Sequence, residues 1–209
     1  MPARGPSTQE SFWSTFLKGL LRRGLQGVKL VISDAHEGLK SAIRRVFSAS
    51  WQRCRVHWMR NALSYVPKAQ QSMAAAALRQ AFIQPDRAAA SQTLRHVADQ
   101  LRGKWPKLGM FIDDSEPDVL AHMDFPAQHR TRIHSTNSLE RLNKEVKRRA
   151  DVVGIFPNES SIVRLIGAVL LEANDEWQTQ NRYMQTEPMA ELMTPTVNSQ
   201  PAQIATEAA

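Results

Sequence analysis

A short apolar run that ends in an acidic residue, with a helical pattern directly after it, constrains the fold most. Residues 28–33 read VKLVIS, and such a run is typical of a strand buried on both faces of a parallel sheet. Asp34 follows at once, and a helix is predicted over about 35–47. Open α/β sheets gather functional groups at the carboxyl ends of their strands, so Asp34 is a candidate ligand for a hard cation such as Mg²⁺.

A simpler interpretation of the same stretch is a helix cap. Asp34 and Glu37 have the Asp-x-x-Glu spacing of a capping box, in which Asp34 would be the N-cap residue. On this stretch alone the cap is the favoured interpretation. One side chain can serve both purposes.

The other elements are predicted to be mostly helical. Apolar spacing predicts a first helix over about 9–23, with Gly24 as its C-terminal cap. Residues 51–57 alternate weakly and are either a second strand or the start of a helix. The Ala-, Gln- and Leu-rich chain from there to about 104 predicts several helices, with a break at 84–86 and Asp86 as a candidate cap.

Prolines interrupt the next segment. Pro106, Pro117 and Pro126 predict a short helix among loops over 105–130. Helices are predicted again over about 138–149 and 159–180.

The helix near residue 140 combines one carboxylate with many cations. Helical spacing predicts that it turns Leu139, Leu142 and Val146 to the core, and that Glu140, Lys144 and Lys147 share a polar face. Asn137 to Glu140 is also spaced as a capping box, and Glu140 with Lys144 as an ordinary surface pair. The excess of positive charge favours contact with a phosphate backbone instead. The cations are Arg141, Lys144, Lys147, Arg148 and Arg149.

Cys54 and His57 have the spacing of a metal-ligand pair. A zinc site needs about four ligands, however, and the chain has a single cysteine. His122, His129 and His134 are not spaced as a partner pair. A buried Cys beside a hydrogen-bonding His is therefore favoured over zinc.

Charge and cysteine content restrict the class of protein. The 209-residue chain has a formal net charge of +7 and a pI of about 10.0, which indicates a polyanionic partner. One cysteine suits a reducing compartment. No apolar run approaches the roughly 20 residues that span a bilayer, and MPARGPSTQE lacks the apolar segment of a signal peptide. These features predict a cytoplasmic protein with no membrane partner.

Four long strings carry a resemblance to a known family. They are GVKLVISDAHEGLKSAI, WQRCRVHWMRNALSYVPK, STNSLERLNKEVKRRADVVGIFPNE and IGAVLLEANDEW. In this order and spacing they resemble the Mutator-type bacterial insertion-sequence transposases, which belong to the DDE class. The similarity covers about residues 11–183.

The resemblance implies an α/β fold that is mostly α by content, a partial ribonuclease-H-like core with a helical insertion. The core would comprise residues 9–65 and 131–185, and the insertion residues 66–130. Disordered ends are predicted at 1–8 and 186–209.

The resemblance also implies a bacterial, nucleoid-associated enzyme with an active site for DNA transposition. The family's second Asp falls on Asp34, its Glu on Glu140, and its Cys-x-x-His signature on Cys54 and His57. The carboxylates would hold two Mg²⁺ or Mn²⁺ ions for phosphodiester cleavage and strand transfer. Lys144, Lys147 and Arg148 would then contact the DNA backbone.

One departure from the family pattern concerns the first catalytic Asp. In the family it precedes the first helix, and MPARGPSTQE contains no Asp. The sequence therefore predicts that this chain alone neither cleaves nor joins DNA, and that it acts as a homo-oligomer or with an amino-terminal part. The alternative is a catalytically dead fragment that binds DNA or a partner and regulates a full-length transposase.

Overall fold

The computed structural model describes residues 8–179, with side chains from Glu10 onward. The ends predicted to be disordered lie outside this range, except for Thr8, with which the first helix begins. The helices are α1 (Thr8–Arg22), α2 (Glu37–Phe47), α3 (Arg55–Ser64), α4 (Gln71–Phe82), α5 (Arg87–Arg102), α6 (Pro106–Val119), α7 (Ala127–Ile133), α8 (Asn137–Val153) and α9 (Glu159–Thr179). Short 3-10 helices lie at Lys68–Gln70 and Ala121–Asp124.

The two strands, β1 (Leu30–Ser33) and β2 (Ser50–Arg53), form a parallel sheet. Leu30 lies opposite Ser50, and Ser33 opposite Arg53. Both interpretations of residues 51–57 hold in part, because β2 ends at Arg53 and α3 begins two residues later. The described part of the chain is thus mostly helical with a small parallel sheet, as predicted for the fold class. The ribonuclease-H-like core remains a prediction.

The sheet packs against α1 and α2. Leu17 of α1, Ile43 of α2 and Trp51 of β2 belong to one buried cluster. Helix α1 thus forms where the apolar spacing predicted a helix. Gly24 has a positive φ of 99° just beyond the end of α1, as expected for a residue that ends a helix.

A second and larger core lies among α3, α4, α5 and α6. Its fully buried side chains include Trp58, Leu78, Leu94, Leu108 and Ile112. Buried Gln52 joins this core to the sheet: its Nε2 donates to the carbonyl of Val119 at 2.8 Å, and its Oε1 accepts from the backbone N–H of His122 at 2.7 Å. The edge of the sheet is thereby fixed to the helical segment.

The short helix predicted among loops at 105–130 is wrong. Residues 106–119 form the continuous helix α6, and most of the remainder is also helical. Pro106 is the first helical residue, a position where the missing N–H has no intrahelical partner to lose. Pro117 lies inside α6, where the packing of the helix on α5 outweighs the expected break. Pro126 precedes α7 as its N-cap residue.

Two of the three predicted N-terminal helix caps are wrong. The N-cap of α2 is His36, whose Nδ1 accepts from the backbone N–H of Leu39 at 3.0 Å, so Asp34 is not the cap. The N-cap residue of α8 is Thr136, not Asn137, and its side chain caps no backbone N–H. The third prediction is confirmed, because Asp86 accepts from the N–H of Ala89 at 2.8 Å.

The predicted apolar face of α8 is not buried. No residue of this helix is buried within the described chain, and the side chain of Leu139 is exposed. Leu142 and Val146 are half-buried. Within the described chain the prediction that Leu139 turns to the core is therefore wrong, because α8 packs mainly against α9 and makes few contacts with the other elements. Among residues 8–179 no helix is both long and apolar enough to cross a membrane.

Candidate active site

Asp34 and Cys54 are placed side by side by the register of the sheet. Each directly follows a strand, and the last residues of the two strands, Ser33 and Arg53, are paired. The register continues one step further, because the N–H of Cys54 donates to the carbonyl of Ser33 at 2.8 Å. The predicted position of Asp34, at the carboxyl end of a strand in a parallel sheet, is confirmed.

The imidazole of His57 reaches back to both residues. His57 lies in the first turn of α3, three residues after Cys54, so its side chain returns to the sheet edge. Its Nδ1 lies 2.6 Å from Oδ1 of Asp34 and 3.3 Å from Sγ of Cys54. The ligand atoms of Asp34, Cys54 and His57 all lie within 4.8 Å of one another.

Glu140 belongs to helix α8, which is far from the two strands in sequence. The N–H of Arg55 donates to the carbonyl of His134 at 2.9 Å, which fixes the chain before α8 to the start of α3. Glu140 lies in the first turn of α8, and its Oε1 is 3.7 Å from Nε2 of His57. Two carboxylates 106 residues apart in sequence therefore lie at opposite nitrogens of one imidazole.

Thr136 connects this carboxylate to the cysteine. Its hydroxyl lies 2.8 Å from Oε1 of Glu140 and 3.3 Å from Sγ of Cys54. Its backbone N–H also donates to Sγ at 3.4 Å. The sequence interpretation missed Thr136, although its position one helical turn before Glu140 is a usable signal.

The donor set suits a hard divalent cation. The side chains of Asp34 and Glu140 are 60% and 47% exposed, so their oxygens are accessible from solvent, and carboxylate oxygens are the ligands that Mg²⁺ and Mn²⁺ prefer. Two carboxylates that converge on one small ring repel each other unless a positive charge lies near them. A cation at either carboxylate would reduce that repulsion.

Arg53 is a second residue that the sequence interpretation missed. It ends β2, and its guanidinium lies 4.8 Å above the ring of Phe111. Burial lowers the pKa of Arg53, while Asp118, Glu37 and Asp34 act in the opposite direction. The signal in the sequence was a charged residue directly before Cys54, in the stretch predicted to be a second strand or the start of a helix.

A cleft of about 780 Å³ opens beside Glu140. It lies between α7 and α8, and its lining includes Arg132, His134, Ser138, Glu140, Arg141 and Lys144. Burial and the nearby Arg55 lower the pKa of His134. The positive charge of the cleft therefore comes mainly from its arginines and Lys144.

The three predicted DNA-contacting cations differ in their surroundings. Within residues 8–179 neither Lys144 nor Lys147 has an ion-pair partner, and both are exposed. Arg148 is paired with Glu145 through contacts of 2.7 and 2.9 Å. Hydrogen bonds from Arg148 and Arg149 lower the pKa of Glu145 to about 2. Much of the charge of Arg148 is therefore offset within α8.

Comparison with known proteins agrees with the sequence resemblance. The chain belongs to the Mutator family of transposases, whose family model matches residues 4–180. It is 44% identical over 173 residues to the transposase for insertion sequence element IS1081 of Mycobacterium tuberculosis, a match that covers 82% of this chain and 42% of the relative.

Two further relatives are similar to the same extent. The transposase for IS406 of Burkholderia multivorans is 42% identical over 184 residues, covering 87% of this chain and 47% of the relative. The transposase for IS256 in transposon Tn4001 of Staphylococcus aureus is 43% identical over 173 residues, covering 80% and 44%. The chain thus spans less than half the length of these relatives.

Proposed function

We propose that this chain supplies part of the active site of a DDE-class DNA transposase, in which Asp34 and Glu140 hold divalent cations. The observation that carries the proposal is the convergence of these two carboxylates on opposite nitrogens of His57, at 2.6 and 3.7 Å. Membership of the Mutator family and the net charge of +7 support DNA as the substrate. A ribonuclease-H-like arrangement of the core is part of the same proposal.

Bound Mg²⁺ or Mn²⁺ would activate an attacking water or 3′-hydroxyl and stabilise the leaving oxygen of a phosphodiester. The chain's own residues hold and orient the carboxylates. The N–H of His57 fixes Asp34, and the hydroxyl of Thr136 fixes Glu140. Since both supporting residues also contact Cys54, buried Cys54 joins the two halves of the site.

The cleft beside Glu140 is the proposed path of the DNA backbone. Lys144 and Arg141 line it, and Lys147 continues the same face of α8 one turn further. Lysines without ion-pair partners attract phosphate without reading base sequence. Arg148 would contribute less than either lysine, because Glu145 already binds its guanidinium.

Two carboxylates are few for a pair of cations, each of which takes several oxygen ligands. We therefore propose that the isolated chain neither cleaves nor joins DNA, and that a further carboxylate comes from an amino-terminal part or another subunit in a homo-oligomer. The site of action would be the bacterial nucleoid.

Mn²⁺ binding to the 209-residue chain tests the site, measured as the loss of the free Mn²⁺ signal in electron paramagnetic resonance. We expect Asp34→Asn and Glu140→Gln each to weaken binding at least tenfold. Asp151→Asn, which removes an exposed carboxylate from the same helix as Glu140, is the matched control and should bind like the wild type. Equal Mn²⁺ binding by all four proteins would refute the proposed cation site.

A DNA assay tests the proposal that the isolated chain neither cleaves nor joins DNA. The chain is incubated with plasmid DNA and Mg²⁺ or Mn²⁺, and nicking and strand transfer are followed on gels. We expect neither product. Strand transfer that disappears in Glu140→Gln would show instead that the isolated chain is a complete transposase.

A further inference from the structure

We propose that Cys54, His57 and Asp34 also form a site for a thiophilic divalent cation, the chemical class that includes Zn²⁺ and Co²⁺. The sequence offers no second cysteine and no histidine pair to complete a zinc site, but the structure adds a carboxylate to Cys54 and His57. The proposal of this metal site depends only on the positions of the three ligands. Its expected effect on catalysis rests on the proposed function.

The three ligand atoms are already close to a metal-binding arrangement. Zinc binds Cys sulfur at about 2.3 Å and His nitrogen or carboxylate oxygen at about 2.0–2.2 Å, so neighbouring ligand atoms around a tetrahedral ion lie about 3.3–3.7 Å apart. Sγ of Cys54 and Nδ1 of His57 are 3.3 Å apart. Oδ1 of Asp34 is 2.6 Å from Nδ1 and within 4.8 Å of Sγ, so it would have to move away from Nδ1 and toward Sγ to complete the arrangement. Its exposed side chain has room to do so.

The surroundings of the three ligands also suit a metal centre. A metal-binding His generally donates its other ring N–H to a carboxylate, which fixes the tautomer and the ring orientation. If Nδ1 of His57 binds the ion, Nε2 carries that proton and faces Oε1 of Glu140 at 3.7 Å. The N–H and hydroxyl of Thr136 are directed at Sγ of Cys54, which helps to balance the charge of a thiolate. Solvent would complete the four ligands.

The two classes of cation would compete for one carboxylate. Sulfur and imidazole ligands select Zn²⁺ and similar ions, whereas Mg²⁺ and Mn²⁺ prefer the oxygens of Asp34 and Glu140. Asp34 is common to both sets. A thiophilic ion would draw Asp34 toward Cys54 and leave Glu140 beside Nε2 of His57. Zn²⁺ is thus expected to displace the proposed catalytic cation and to inhibit the site.

Cobalt binding provides a direct test, because the chain contains a single cysteine. A near-ultraviolet thiolate-to-Co²⁺ charge-transfer band on titration of the reduced 209-residue chain can arise only from Cys54. We expect this band in the wild type, its loss in Cys54→Ser, and its reversal by stoichiometric Zn²⁺. We expect His57→Gln and Asp34→Asn to weaken Co²⁺ binding at least tenfold, and Glu140→Gln by about tenfold. His96→Gln, on the exposed face of α5, is the matched control and should leave binding unchanged.

Absence of the band in the wild-type chain at excess Co²⁺ would overturn the proposal. A band whose affinity is unchanged in both His57→Gln and Asp34→Asn would do the same. The wild-type titration does not depend on the folding of any variant. The two proposals can also fail separately. Absence of the thiolate band in the wild type refutes only the thiophilic site. Mn²⁺ binding that is unchanged in Asp34→Asn and Glu140→Gln refutes only the proposed catalytic cation site.

Discussion

The hydroxyl of Thr136 lies 2.8 Å from Oε1 of Glu140, so the residue before α8 holds a carboxylate in the first turn of that helix. The side chain of Thr136 makes no hydrogen bond to a backbone N–H of α8, so it acts on Glu140 and Cys54 rather than as a helix cap. Thr136 is therefore a positioning residue for the proposed cation site.

Replacement of Thr136 should weaken cation binding without unfolding the helix. Loss of a residue that orients a metal ligand typically costs 10–100-fold in metal affinity. We expect Thr136→Ala to bind Mn²⁺ about tenfold more weakly than the wild type and Thr136→Ser to restore the affinity. Far-ultraviolet circular dichroism should be the same for all three proteins. Serine that fails to restore binding would show that the methyl group, and not the hydroxyl, matters at this position.

A buried hydrogen bond in the helical core should contribute measurably to stability. Nε1 of fully buried Trp58 donates to Oγ of Ser115 at 2.6 Å, and Ser115 in turn donates to the carbonyl of Phe111. Ser115→Ala leaves the indole N–H buried without an acceptor, which costs about 1–3 kcal/mol of unfolding free energy. Urea unfolding should show this loss, whereas Ser64→Ala, at an exposed hydroxyl, should stay within about 0.5 kcal/mol of the wild type. Equal stabilities for the two variants would contradict the prediction.

The sequence predicts which residues lie close together better than it predicts the local geometry around them. A buried strand ending in Asp34 and a helix carrying Glu140 are visible in the pattern and the resemblance, and the structure places both residues beside His57. Two N-terminal caps were mispredicted because the position of an N-cap depends on where the helix begins. His36, two residues past Asp34, takes that position in α2. Both errors are shifts of one or two residues.

Tertiary packing explains the features that were mispredicted from the sequence. Pro117 favours a break by local preference, yet it lies inside α6, whose other residues pack on α5. Leu139 lies on the apolar face of α8, but helical spacing cannot tell whether another element covers that face. Thr136 was missed because its role depends on Cys54, which lies 82 residues away in sequence.

The stability of the fold should depend on the protonation of His122. This residue is 2% exposed, and burial, together with the nearby Arg55 and His134, lowers its pKa from 6.5 to about 4. Because the unfolded chain binds this proton near pH 6.5 and the folded chain only near pH 4, stability falls as the pH is lowered through this window. The loss attributable to His122 should approach about 3 kcal/mol at pH 4 and should not grow further below it.

Replacement of His122 by a residue that does not titrate provides the measurement. The amide of His122→Asn can still donate to the carbonyl of Val119 or to Oε1 of Gln52, as Nδ1 does in the wild type. We expect unfolding free energy to fall less steeply between pH 6.5 and 4 in His122→Asn than in the wild type. His96→Asn, at an exposed histidine, should follow the wild-type curve. Parallel curves for His122→Asn and the wild type would show that other groups, such as His134, cause the pH dependence.

Two lysines of α8 should account for a defined part of the salt dependence of DNA binding. Lys144 and Lys147 are exposed, have no ion-pair partner among residues 8–179, and follow Glu140 on one helical face. Each phosphate contact contributes about 0.9 to the slope of log affinity against log salt concentration. The double variant Lys144→Ala, Lys147→Ala should therefore reduce the magnitude of that slope by about 1.8 and weaken binding to all duplexes alike. Fluorescence anisotropy between about 50 and 200 mM salt gives the slope. Lys68→Ala, at an exposed lysine before α4, is the control, and an equal reduction in that variant would mean that the chain binds DNA through its charge in general and not through α8.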